Sequence, residues 1–199
     1  MSKKILIEGG GESKELQSRC REGFSKLLKS CGYEGRMPRL VACGGRARVY
    51  KDFSLAHSEA RDGQFVAMLL DSEDPVENPE SPWRHLKVRD NWDQPNSADD
   101  NQVLLMTTCM ETWVATDRKA LKDYYGSDFQ PSALPSLTNI EAKSRQSMHD
   151  ALKHATRNCP ETYEKGANSF KILSKLNPSV LEQHLPSFQR VRRVLDENL

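Results

Sequence analysis

Acidic residues follow two short hydrophobic segments of the chain, and their type and spacing could support chemistry. The segment ILIEGGGE ends its apolar run on Glu8, passes through three glycines and reaches Glu12. The segment FVAMLLD ends on Asp71, which is soon followed by Glu73 and Asp74. Carboxylates at the ends of neighbouring parallel strands share one crevice and repel each other unless a cation neutralises them. Because Mg²⁺ and Mn²⁺ prefer oxygen ligands, the pattern predicts a site for one of these ions.

The three glycines between Glu8 and Glu12 favour a close approach of backbone amides to a phosphate or a metal ion. They form neither the GxGxxG of a dinucleotide site nor the GxxxxGK[ST] of a P-loop. A structural alternative stays open, in which the glycines make an ordinary turn from a strand into a helix. In that case the acidic segment 71–82 is a solvated loop.

The elements that must position these residues alternate between strands and helices in the first part of the chain. The hydrophobic pattern predicts strands at 4–8, 39–45, 65–71 and 102–110. It predicts helices from the cap at Ser13 to Gly32, over about 47–61, and over the segments 110–117 and 118–125. Strands separated by helices indicate an α/β fold with a mostly parallel sheet flanked by helices. Residues 83–100 have a mixed pattern that indicates no regular element.

The remaining part of the chain has helical patterns and no strand signal. Helices are predicted at 139–157, about 166–175, 178–184 and 186–198, and prolines separate them. We therefore predict an α/β core over residues 1–126. A helical C-terminal layer or subdomain over residues 127–199 is expected to pack on this core.

Composition bounds the class of protein. The chain has 199 residues, with 29 Lys and Arg against 28 Asp and Glu, so net charge gives no case for non-specific binding to nucleic acid or membranes. Residues 1–60 are basic and residues 71–100 are acidic, as a phosphate-binding groove around a metal site would need. Five cysteines without a CxxC pair argue against a disulfide framework and a Cys-ligated zinc site. No signal peptide or membrane span is evident, which predicts a cytoplasmic protein without a membrane partner.

These motifs resemble the TOPRIM domain, the Mg²⁺-binding fold of topoisomerases, bacterial primases and OLD-family nucleases. EGGGE at 8–12 is similar to the EGxxE motif of the OLD-like branch, and DSE at 71–73 to its second acidic motif. GGR at 44–46 is similar to a glycine–lysine turn between the two motifs. CMETW at 109–113, with Asp117 and YEKG at 163–166, resembles a small bacterial family of uncharacterised TOPRIM-like proteins. The resemblance spans most of the chain.

The resemblance implies a metal-dependent nuclease acting on DNA or RNA. The residues that would hold Mg²⁺ or Mn²⁺ are Glu8, Glu12, Asp71 and Glu73, with Asp74 beside them. Arg46 or Arg48 would neutralise the scissile phosphate, unless they are solvated residues at the start of a helix. Similar small proteins are encoded beside ABC-type ATPases in arrangements linked to phage defence, so the resemblance also implies an ATPase partner. It leaves a homo-oligomer open.

Two further residues have a functional and a structural interpretation. Glu111, beyond the fourth predicted strand, could face the crevice or interact with a helix dipole. Lys165 could contact a substrate phosphate or a partner, or lie on the surface. The sequence also departs from the family pattern, because DSED stands where DxD is usual and Glu73 is one methylene longer than aspartate. This departure favours the alternative function of a non-catalytic module that binds a metal or docks a partner.

Overall fold

The chain folds around a sheet of four parallel strands. The structure is a computed structural model that describes residues 3–199, so the first two residues of the predicted 1–126 core lie outside the described residues. The strands are β1 (Lys3–Glu8), β2 (Arg39–Gly44), β3 (Phe65–Asp71) and β4 (Val103–Met106). Their order across the sheet is β2-β1-β3-β4, and each pairing is parallel. The predicted α/β class is confirmed, and β1 lies next to β3.

Helices cover both faces of this sheet. In chain order they are α1 (Lys14–Leu28), α2 (Arg46–Ser58), α3 (Pro82–Asp90), α4 (Met110–Thr116), α5 (Arg118–Tyr125), α6 (Arg145–Ala155), α7 (Ala167–Leu173), α8 (Pro178–His184) and α9 (Pro186–Asn198). Successive strand residues point to opposite faces, which divides the buried side chains into two cores. Leu6 packs with side chains of α2 and α3. Ile5 and Ile7 pack with side chains of α1 and of the helices from α4 onward.

The C-terminal helices pack directly on the rest of the molecule. Trp113 of α4 meets Phe188 of α9 edge to face, with ring centroids 4.9 Å apart. A Cβ added to Gly23 in α1 would lie 2.7 Å from the carbonyl oxygen of Phe170, so the backbones of α1 and α7 are in close contact. Residues 127–199 therefore contribute to the same hydrophobic core as the sheet. Their separation as a subdomain stays a prediction.

The last helix also reaches the outer strand of the sheet. The guanidinium of Arg190 in α9 donates hydrogen bonds to the carbonyl oxygens of Val103 at 2.8 Å and of Asp100 at 2.5 Å. Arg190 is only 5 % exposed, so this contact is buried. It fastens the C-terminal helix to the start of β4.

Several predicted boundaries were wrong. The fourth strand was expected over 102–110 but ends at Met106, because its neighbour β3 ends at the paired residue Asp71. No element was predicted over 83–100, but α3 covers the first part of this segment and begins one residue before it, at Pro82. The helix expected over 139–157 begins only at Arg145, because Lys143 is extended and Ser144 caps the helix by accepting from the Ser147 amide.

Among residues 3–199, no helix has both the length and the apolar character needed to cross a lipid bilayer. All five cysteines are buried free thiols.

Candidate metal centre

Three acidic side chains meet where β1 and β3 end. Glu8 is the last residue of β1 and Asp71 the last of β3, and the parallel pairing of these strands brings the two ends to one edge of the sheet. Glu73 follows two residues later. One carboxylate oxygen from each of Glu8, Asp71 and Glu73 lies within 4.8 Å of the others. This carboxylate cluster is the candidate metal centre.

Asp71 is the most buried member of the carboxylate cluster. It is 7 % exposed, and its Oδ1 accepts a hydrogen bond from the backbone amide of Met110, the first residue of α4, at 2.8 Å. Its own backbone amide donates to Glu8 Oε2 at 3.2 Å. Burial, and then the nearby charges of Glu8 and Glu111, raise the pKa of Asp71 well above its ordinary value. The protein thus keeps a carboxylate where ionising it is costly.

Glu8 is held by an arginine that is itself tightly fixed. Burial raises the pKa of Glu8, while the Arg46 guanidinium, 3.6 Å away, acts in the opposite direction. Arg46 donates two hydrogen bonds to Asp90, at 3.1 and 2.6 Å, and one to the backbone carbonyl of Asp71. Its guanidinium also lies over the ring of Trp92, at 5.0 Å from the ring centroid. Arg46 is therefore a fixed counter-ion behind the carboxylate cluster.

Glu73 occupies an unusual backbone conformation and pairs with two other arginines. Its φ is 69°, in the left-handed region that non-glycine residues rarely adopt, and its amide donates to the Thr108 carbonyl at 2.8 Å. Such conformations persist only where the surroundings impose them, and they concentrate at functional sites. The Arg145 guanidinium hydrogen-bonds the Glu73 carboxylate, and Arg89 lies 3.9 Å from it. Glu73 is thus fixed by its backbone, and its charge is met by cations.

The glycine turn after β1 packs against the end of β2. The backbones of Gly9 and Gly44 exchange two hydrogen bonds, of 2.9 and 3.0 Å. Gly44 has a φ of 82°, and a Cβ added there would lie only 2.5 Å from the carbonyl oxygen of Gly11. Glycine is therefore required at Gly44 for both conformation and space. This packing supports the turn that carries Glu8.

A cavity of about 280 Å³ opens beside the carboxylate cluster. The glycine turn 9–11 lines part of it, and the charged side chains along its wall are Glu8, Asp71, Glu111, Arg145 and Lys165. Carboxylates and cations on one cavity wall could hold a metal ion together with a phosphate group.

Glu111 forms a second buried acidic group at this cavity. It is 2 % exposed, accepts a hydrogen bond from the hydroxyl of Tyr163 at 3.2 Å, and lies 3.5 Å from Lys165 Nζ. Burial, followed by the charge of Glu111, raises the pKa of Tyr163 well above its ordinary value, so the phenol stays a proton donor to Glu111. The structure thus places both Glu111 and Lys165 at the cavity that the carboxylate cluster borders.

Other predicted residues lie apart from the carboxylate cluster. Within residues 3–199 the cluster comprises Glu8, Asp71 and Glu73, whereas Glu12 is exposed beyond the glycine turn. Asp74 points to Arg89 at 2.9 Å and is also exposed. Arg48 pairs with Asp52, one turn along α2, at 3.5 Å. The roles of Glu12 and Asp74 as metal ligands stay predictions.

Sequence reasoning missed several residues that shape the site. Arg145 lies 72 residues after Glu73 and Asp90 lies in the segment for which no element was predicted, and no motif marks either of them. Tyr163 belongs to the YEKG segment noted above, but its hydrogen bond to Glu111 could not be inferred from that segment. The packing of α3 on β4 and of α6 on α4 brings Asp90 and Arg145 to the site.

Fold and site together define an α/β protein that gathers carboxylates where adjacent parallel strands end. A family model described as "Domain of unknown function (DUF4276)" matches residues 7–196, and the chain belongs to that family. No curated protein and no solved structure matches the chain.

Proposed function

We propose that this protein is a Mg²⁺- or Mn²⁺-dependent nuclease of the TOPRIM type that hydrolyses phosphodiester bonds in DNA or RNA. The observation that carries the proposal is the meeting of Glu8, Asp71 and Glu73, with one oxygen of each within 4.8 Å of the others. The cavity beside them, with Arg145 and Lys165 on its wall, supports a phosphate-containing substrate.

The residues present fit a hard divalent cation. The donor atoms are all carboxylate oxygens, which Mg²⁺ and Mn²⁺ prefer. Burial raises the pKa of both Glu8 and Asp71, and a nearby cation would remove much of that cost. Glu73, in its imposed backbone conformation, presents the third carboxylate toward the same point.

Each residue then has a definable role. Glu8, Asp71 and Glu73 would hold the ion, which when bound supplies a water of lowered pKa and polarises the phosphodiester. The Met110 amide fixes the orientation of Asp71. Arg46 positions Glu8 and the end of β3.

A second candidate function is a non-catalytic module that docks a partner or binds a metal for structure. The observation that favours it is the compensation of the carboxylate cluster by protein cations, with Arg46 near Glu8 and Arg145 on Glu73. Two of its three carboxylates are thus neutralised without a bound ion. The two functions differ in whether the cluster is needed for cleavage.

The test is Mn²⁺ titration by calorimetry together with cleavage of labelled DNA and RNA. The wild type should bind Mn²⁺ and cut one of the substrates. Glu8→Gln and Asp71→Asn should lose both Mn²⁺ binding and cleavage without unfolding. Asp62→Asn, at an exposed position outside the cluster, is the matched control. Mn²⁺ binding without cleavage would favour the second function, and absence of Mn²⁺ binding would refute the nuclease.

We further propose, from the resemblance to TOPRIM-like proteins encoded beside ABC-type ATPases, that the chain is the effector subunit of an anti-phage system in the cytoplasm. An ATPase partner would restrain or release its nuclease activity. Affinity purification of the tagged chain, with and without phage infection, should recover an ABC-type ATPase. Recovery of the chain without an ATPase in both conditions would contradict this partnership.

A further inference from the structure

The arginines near the carboxylate cluster differ in their freedom, and Arg89, 3.9 Å from Glu73, is not among the described residues that line the cavity. Arg46 is 13 % exposed in its side chain and is committed to Asp90, Trp92 and the backbone of Asp71. Arg145 is 40 % exposed in its side chain. Among residues 3–199, the cavity wall includes Arg145 but not Arg46. The arginine that can reach a ligand in the cavity is therefore Arg145.

The contact that holds Arg145 uses a carboxylate that a metal ion would also use. In the described part of the chain its hydrogen-bond partner is Glu73, a member of the carboxylate cluster. A divalent cation and a guanidinium compete for the same carboxylate oxygens. Glu73 is held by its left-handed backbone and by the hydrogen bond from its amide to the Thr108 carbonyl oxygen, whereas the Arg145 guanidinium ends a long flexible side chain. When the two separate, the arginine is the partner that moves.

We propose that Arg145 is the phosphate-binding arginine of this site and that it exchanges Glu73 for a substrate phosphate when the metal ion binds. Its guanidinium neutralises Glu73 in the metal-free protein and passes to a substrate phosphate when a divalent cation takes Glu73. This inference rests on the proposed function. It assigns to the C-terminal helices a residue that contacts substrate, because Arg145 begins α6.

The consequence is that metal and phosphate binding are coupled. A planar guanidinium binds phosphate through paired charge-assisted hydrogen bonds, which makes it a strong phosphate ligand once it is free. Before metal binds, the pairing with Glu73 keeps Arg145 from the substrate. The site should therefore bind nucleic acid weakly without metal and strongly with it.

The experiment measures binding, not only cleavage. Fluorescence anisotropy follows labelled 12-nucleotide DNA and RNA with Ca²⁺ or without divalent ions, and calorimetry follows Mn²⁺ alone. Arg145→Gln should weaken oligonucleotide binding about tenfold with Ca²⁺ and change little without it, since one charge-assisted contact is lost. Its Mn²⁺ affinity should equal or exceed that of the wild type, because a competitor for Glu73 is gone.

A second variant tests the exchange from the other side. Glu73→Gln should strengthen oligonucleotide binding without metal several-fold, because Arg145 is released, and the double variant Glu73→Gln with Arg145→Gln should lose that gain. Arg157→Gln, an exposed arginine just after α6, is the matched control and should behave as the wild type.

The outcomes separate the two proposals. If the wild type binds Mn²⁺ and cuts nucleic acid but Arg145→Gln binds oligonucleotide as well as the wild type does, the arginine assignment is wrong and the nuclease stands. A loss of Mn²⁺ affinity in Arg145→Gln would also overturn the assignment, since it would make Arg145 a support for the carboxylate cluster. If the wild type binds no Mn²⁺, the nuclease fails and the exchange fails with it.

Discussion

At the scale of single residues, Asp71 is a buried carboxylate without an ion-pair partner among residues 3–199. Glu8 and Glu73 each form an ion pair with an arginine, whereas Asp71 accepts a hydrogen bond from the Met110 backbone amide. A buried carboxylate of this kind costs stability and is typical of residues retained for function. This makes Asp71 the most informative position to change.

Asp71→Asn should stabilise the metal-free protein. Burial raises the pKa of this acid in the folded state above its ordinary value of 3.8, so the folded state binds more protons than the unfolded state as pH rises from that value. The free energy of unfolding of the wild type therefore falls across that range, and asparagine removes the cost. We expect a gain of about 1 kcal/mol at neutral pH, or about 2–4 °C in Tm.

Thermal denaturation at neutral and acidic pH measures this gain. The difference between Asp71→Asn and the wild type should shrink at low pH, where Asp71 is protonated and already neutral. Excess Mn²⁺ should raise the Tm of the wild type but not that of Asp71→Asn. A variant less stable than the wild type at neutral pH would contradict the prediction, and Asp62→Asn serves again as the control.

The affinity for Mn²⁺ should depend on pH through the same groups. Glu8 and Asp71 must be ionised to bind a cation, and burial raises the pKa of each above its ordinary value, 4.5 for Glu8 and 3.8 for Asp71. Protons therefore compete with the metal at pH values above 4.5, where an exposed carboxylate would be ionised. Calorimetry between about pH 5 and pH 8 should show affinity falling as pH falls. A constant affinity over this range would place the ion elsewhere.

At the scale of elements, the site depends on the contact between the glycine turn and the end of β2. Gly44→Ala should destabilise the protein by about 2 kcal/mol or more, because its φ of 82° is strained for alanine and the added Cβ would lie 2.5 Å from the Gly11 carbonyl oxygen. Mn²⁺ affinity should fall with it, because Glu8 precedes the displaced turn.

The next residue provides the matched control. Gly45, the N-cap of α2, has a φ of −82°, and an added Cβ would meet no atom within 4 Å, so Gly45→Ala should lower Tm less than Gly44→Ala does and leave Mn²⁺ affinity nearly unchanged. Equal effects of the two substitutions, in denaturation and calorimetry, would show that the turn does not depend on this contact.

The same scale shows what the sequence could predict. Glu8 and Asp71 were assigned to strand ends because the apolar runs stop there, and parallel pairing then brings them to one edge. Arg145 could not be predicted, since its approach depends on the packing of α6 against α4, which joins residues distant in sequence. The start of α6 was misplaced for a local reason, because the Ser144 cap overrides the helical pattern that precedes it. Strand periodicity thus predicts positions on the sheet, but not which helix covers them.

At the scale of the whole molecule, one hydrophobic core joins the sheet to the C-terminal helices. Phe188 of α9 packs on Trp113 of α4, and Phe170 of α7 contacts α1 at Gly23. We expect residues 1–126 and 127–199 to unfold together. Thermal melts followed by tryptophan fluorescence and by far-ultraviolet circular dichroism should coincide within about 1 °C. An earlier loss of helical signal would show that the C-terminal helices unfold separately.

The buried hydrogen bond between Arg190 and Val103 makes the two edges of the sheet, β2 and β4, unequal. The edge strand of an open sheet has unpaired backbone groups that can pair with a strand of another molecule, and charged side chains on the edge commonly prevent this pairing. At β4, the Arg190 guanidinium and α9 already occupy the edge. At β2, the first residue, Arg39, is exposed. Addition of strands from another copy is thus opposed at β4 by a buried contact and at the start of β2 by the charge of Arg39.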